Sequence, residues 1–130
     1  MKQQTTVISG SFRKYYNEIK EAIEQFNLLG FDVLSPKNSI IINPDDDFAL
    51  LESDKSDNIY FIEDKHLSAI KEADFLYVVN PAGYIGLTVA FEMGYAYANN
   101  RKIYCMHEPQ DILLKEFCFK SNISPNCIDI

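Results

Sequence analysis

"ADFLYVVNPAGYIGLTVAFEMGYAYANN", residues 73–100, decides the reading of this chain. Residues 75–79 form an unbroken apolar run, and Asn80-Pro81 closes it with a turn signal. A short, continuous apolar segment with such a stop predicts a buried central strand, over residues 73–80. Apolar side chains resume from Leu87 and persist to about Asn99, which predicts a helix. Gly83 and Gly86 stand at the joint. From Phe75 to Asn100 the only charged side chain is Glu92. The segment is apolar enough to suggest a membrane span. The turn, the two glycines and the carboxylate interrupt it, so a strand–loop–helix inside a soluble core is the better reading, with no membrane partner.

Working outward, TTVIS (5–9) is a β-branched run ending at Gly10, a first strand. From Arg13 to Leu29 the residues Tyr15, Tyr16, Ile19, Ala22, Ile23, Phe26 and Leu29 mark one helical face, and Gly30 stops it. FDVLSP (31–36) reads as a second strand. Helical periodicity returns from Ile59 to Ala73. KIYCM (102–106) is a further strand, DILLKEFCF (111–119) a last helix, and the tail ISPNCIDI a possible fifth strand. Strands alternating with helices predict an α/β fold: a small doubly wound, flavodoxin- or Rossmann-like parallel sheet of 4–5 strands with helices on both faces. No repeat or linker divides the chain, so 1–130 is expected to be one domain. Such sheets bind ligands beyond the carboxyl ends of their strands, where strand order reverses. Ser9 to Phe12, the region after Pro36, and Asn80 to Gly86 should converge there.

Composition narrows the partners. The chain has 130 residues, 47% of them hydrophobic, and a net charge of −7. So acidic a chain does not fit nucleic acid, because phosphate neutralisation needs lysine and arginine. Its only arginines are Arg13 and Arg101. Phosphate recognition would lean on backbone N–H groups, hydroxyls and a few lysines. Cys105, Cys118 and Cys127 have no metal spacing and read as reduced thiols of a cytoplasmic protein. MKQQTTVISG lacks the apolar run of a secretion signal. Asp45, Asp46 and Asp47 could hold a divalent cation, but a solvated charge run is the plainer account. No metal or cofactor is expected.

The chemistry centres on Glu92. Glycines let a ligand approach the backbone, and the N–H groups of the following helix start make an anion or ribose site. Thr88 adds a hydroxyl one turn before Glu92 on the same face. A carboxylate among Leu87, Val89, Ala90, Phe91 and Met93 is costly unless hydrogen-bonded, so it either turns to solvent, takes a local partner or serves a ligand cleft. In a cleft it could attack a sugar carbon or activate water, and both roles suit cleavage of an N-glycosidic bond. His66 could protonate a leaving base or bind phosphate, or be a surface residue. Asn80 could bond ligand hydroxyls or organise its own turn.

Ala73-Asp74 opening the strand, followed by "GYIGLTVAFEMGYAYANNRKIY" (83–104), resembles the nucleoside 2-deoxyribosyltransferase superfamily, which includes nucleotide N-hydrolases. "VISGSF" (7–12) is similar to that family's first strand and sugar-binding loop. The resemblance implies that Glu92 is the nucleophile toward C1′ of a nucleoside or nucleotide. It implies that Gly10, Ser11, Gly86 and Thr88 line the sugar and phosphate end, and that Tyr15 or Tyr16 bonds near the carboxylate; Gly83, at the joint with Gly86, is expected to let the ligand come close. It also implies a homo-oligomer. Two family aspartates are replaced, one by His66 and one by Gly86. Their loss keeps a second function open, a non-catalytic nucleotide-binding module. "PAGYIGLTVAFE" is also similar to the "PGGxGTxxE" of cytokinin-activating phosphoribohydrolases, with different spacing.

Overall fold

The computed structural model describes residues 3–37 and 58–128. Asp45, Asp46 and Asp47 lie outside the described residues. The elements run β1 (Thr5–Gly10), α1 (Phe12–Leu28), β2 (Asp32–Ser35), α2 (Ile59–Glu72), β3 (Phe75–Val79), α3 (Leu87–Ala98) and β4 (Lys102–Cys105). The strands form one parallel sheet in the order β2-β1-β3-β4. Growth from β1 to β2 and then back across β1 to β3 is the reversal that opens a crevice at the strands' carboxyl ends.

Side-chain alternation sorts the core into two layers. Ile8, Phe75, Tyr77 and Val79 face α1, where they meet Ile19, Ile23 and Phe26. Val7, Leu76, Val78 and Ile103 face α2 and α3, where they meet Ile70, Met93 and Ala96. β3 is buried along its whole length because it has helices on both faces. Phe26 is the hub of the α1 layer, with ring centroids of Phe31 and Tyr77 each 5.2 Å away. α1 begins where Ser11 Oγ accepts the Lys14 N–H at 3.3 Å. It ends at Gly30, whose φ of +89° suits a residue without Cβ.

The C-terminal part departs from expectation. Residues 111–119 do not form an α-helix; only Leu114–Phe117 makes a short 3₁₀ turn. Apolar side chains there occupy no single face, and Ile112 and Leu113 stay exposed. The free edge of β4 instead draws the segment in: the Phe119 N–H bonds Ile103 O at 2.7 Å, and the Cys105 N–H bonds Lys120 O at 2.9 Å. The described part of the tail is no fifth strand either. Pro125–Cys127 is a 3₁₀ turn, and Ile128 packs into the α1 layer. None of the described helices is long and apolar enough to cross a membrane.

Asn80 works in this frame rather than at a ligand. It is fully buried, its Nδ2 donates to His107 O at 2.9 Å, and its Oδ1 accepts the His107 N–H at 3.0 Å. This pair clamps the end of β3 to the loop after β4. Asn80→Ala leaves both backbone groups of His107 without that partner, and is expected to cost about 1–3 kcal/mol in denaturant unfolding. Gly83, with φ +81°, belongs to the same clamp: a Cβ there would lie 2.5 Å from Glu108 O.

Candidate active site

A cavity of about 370 Å³ opens at the carboxyl ends of β1 and β2, between α2 and α3. That is a small-molecule size. Of the site residues expected from sequence, Gly10, Ser11, His66, Gly86, Thr88 and Glu92 line it. Asn80 and Gly83 do not, for the packing reasons above. Tyr15 is not in the lining; its ring sits edge-on to Tyr84, which is, with centroids 6.1 Å apart.

Glu92 lies on the inward face of α3 and is 5% exposed. Three elements converge on it. Ser9, on the same face of β1 as Val7, donates its hydroxyl to Glu92 Oε1 at 2.6 Å. His66, from α2, places Nε2 3.5 Å from the same oxygen. Its Nδ1 is 2.6 Å from Ser35 Oγ at the end of β2. Both ring nitrogens therefore face a partner, and the ring also lines the cavity. Glu63, one turn before His66 on α2, shares a hydrogen bond with Glu92 and also lines the cavity.

Two carboxyl groups in contact hold one proton between them. Glu92 is the ionised partner, because Ser9 and His66 support its charge and not that of Glu63. Burial pushes the Glu92 carboxyl up, but the charge on His66 and hydrogen bonds from His66, Glu63 and Ser9 outweigh it and hold it below its usual range. Burial, the shared bond and the nearby Glu92 charge push Glu63 up to about 9. Raised above its ordinary 4.5, Glu63 gives stability that is complete below that pH and is lost as pH climbs toward 9. Gln in its place donates without titrating. The melting temperature of Glu63→Gln relative to wild type is expected to rise steadily from pH 5 to pH 9; a constant difference would contradict the shared proton.

The rim is cationic in an acidic protein. Arg13, Lys37 and Lys65 all line the cavity, although Lys37 also lies 3.8 Å from Asp32. Among the described residues no side chain caps the start of α3 at Gly86, so none of them gives the N–H groups of its first turn a side-chain acceptor. Glu63, and the bond that Ser9 makes to Glu92, escaped the sequence reading. Two signals could have found them: the Glu63-x-x-His66 spacing, which puts both on one helix face, and the parity of Ser9 with Val7. Among the described residues no cluster of His, Cys, Asp and Glu could hold a metal ion.

A doubly wound parallel sheet with an ionised glutamate beneath a cation-rimmed crevice defines a class of small-molecule site. The family profile "Nucleoside 2-deoxyribosyltransferase" matches residues 7–123, and the chain belongs to that family. Among solved structures it is similar to the Clostridium botulinum CMP N-glycosidase BcmB, with a TM-score of 0.55 and 16% identity over 78% of this chain and 70% of that one. At that identity the likeness concerns the fold. No curated relative matches the sequence.

Proposed function

We propose that the protein cleaves the N-glycosidic bond of a nucleoside 5′-monophosphate, with Glu92 as nucleophile. The observation that carries this reading is the buried Glu92 carboxylate, ionised by its partners and facing the cavity. A glutamate held in this way is a nucleophile prepared before substrate arrives. Membership of the family and the fold neighbour's N-glycosidase activity support the same chemistry.

In this reading Glu92 Oε attacks C1′. The C1′–N electron pair leaves with the base, which takes a proton from water. A second water then attacks C1′, gives its proton to the hydroxide left by the first and regenerates the Glu92 carboxylate, giving free base and sugar phosphate. Another base in place of that water would give transfer. Arg13, Lys37 and Lys65, with the unfilled N–H groups of the α3 start, suit a dianionic phosphate. They favour a nucleotide over an uncharged nucleoside. Ser9 and His66 orient and charge the nucleophile.

Incubation with a panel of nucleosides and 5′-nucleotides, read by chromatography for free base, tests the proposal. Base is expected from nucleotides, at a rate at least about tenfold above the matching nucleosides, since a charge-assisted contact contributes on this scale. Thermal stabilisation by nucleotides with no base released from any member would leave a binding module of the same fold.

A further inference from the structure

Resting on the reading that Glu92 attacks C1′, we infer that Glu63 receives the 2′-hydroxyl of the sugar and selects ribosyl over 2′-deoxyribosyl substrates. The stereochemistry of a β-N-glycoside places it there. The base leaves from one face of the furanose, so the nucleophile must approach in line from the other. The 2′-hydroxyl of ribose lies on that second face, on the carbon next to the one attacked. A side chain hydrogen-bonded to the nucleophile and open to the same cavity is therefore beside the 2′ position and opposite the departing base. Glu63 is such a side chain.

The inventory of hydrogen bonds around Glu92 agrees. Ser9 is spent on Glu92 itself, and His66 on Glu92 and Ser35. Glu63 alone of these groups keeps capacity: its carboxyl has two oxygens, shares one bond with Glu92 and also lines the cavity, so an acceptor is left for a ligand. The terminal torsion of glutamate is broad, so the carboxyl can turn to meet a hydroxyl without leaving a staggered rotamer. A 2′-deoxy sugar offers nothing at this point and leaves the oxygen unsatisfied.

The experiment compares ribo and 2′-deoxyribo partners in wild type, Glu63→Gln and Glu63→Leu. One arm measures kcat/KM for a nucleotide pair with the same base. The other measures binding of ribose 5-phosphate and 2-deoxyribose 5-phosphate by calorimetry, which needs no turnover. Wild type is expected to favour the ribo member by at least about tenfold in both arms, the scale of one unsatisfied buried group. Glu63→Gln keeps an acceptor and a donor and should keep the preference. Glu63→Leu should bring the two within about threefold of each other, the margin left once a single neutral hydrogen bond is gone. Glu63→Ala replaces it if the leucine variant does not fold. A wild-type ratio near one, or a preference that survives Glu63→Leu or Glu63→Ala, overturns the inference. If neither nucleotide releases base, the catalytic proposal fails, while the binding arm still judges the 2′ assignment on its own.

Discussion

Glu92→Gln is expected to lower base release by at least about a thousandfold while leaving the fold in place. Removing a covalent nucleophile costs on that order or more, because the remaining contacts bind and orient but cannot form the intermediate. The amide has nearly the same shape as the carboxylate, so Val89, Met93 and Ala96 keep their packing around it. It also keeps an oxygen to accept from Ser9, and its NH₂ can donate to Glu63, which then no longer faces a negative neighbour. The variant should therefore melt within a few degrees of wild type and retain nucleotide-induced stabilisation, which depends on binding alone. Free-base chromatography and thermal melts with and without nucleotide separate the outcomes. Loss of turnover with retained binding is the expected pattern. Turnover at the wild-type rate would remove Glu92 from the role of nucleophile.

Local signals carried most of the fold. The run Phe75–Val79 needed helices on both sides, and it has them. The apolar face through Ile19, Ala22, Ile23 and Phe26 had only one place to go, against the sheet. Elements failed where side-chain pattern and backbone demand disagree: residues 111–119 have helical apolar content, yet the edge of β4 takes the Phe119 N–H and the neighbouring Lys120 C=O. The site was legible only in part for a related reason. Glu92 announces itself as the one charge in an apolar stretch, and the glycine-bearing joint says where a ligand could approach. Ser9 and Glu63 have ordinary sequence surroundings, and their bearing on Glu92 becomes plain once the order β2-β1-β3-β4 sets α2 beside α3 over the end of β1. The Asn80 side chain illustrates the converse. An Asn-Pro pair reads as a local turn, whereas its partners sit at His107, across the sheet end.

His66→Gln should reveal how the carboxylate is kept ionised. Against Glu92 stands its own burial, which favours the neutral acid; the charge on His66 is the leading influence in the other direction. The other groups facing Glu92 cannot replace it. Ser9 is neutral, Glu63 is an acid already holding the shared proton, and α3 itself supplies no cation. Without the imidazole, burial dominates and the Glu92 carboxyl moves upward. Two consequences follow with opposite signs at the two ends of the pH range. In wild type the depressed Glu92 gives stability that is present above its ordinary 4.5 and is lost as pH falls through its folded value. In the variant that contribution reverses, so melting temperature should improve on acidification relative to wild type. In the rate profile, the acid limb of kcat/KM should move to higher pH. At neutral pH the rate should fall, because a carboxyl pushed toward its neutral form spends less of its time ionised. Raising the pH should recover part of that loss. A histidine acting only as packing would leave the acid limb where it was and lower the rate equally at every pH.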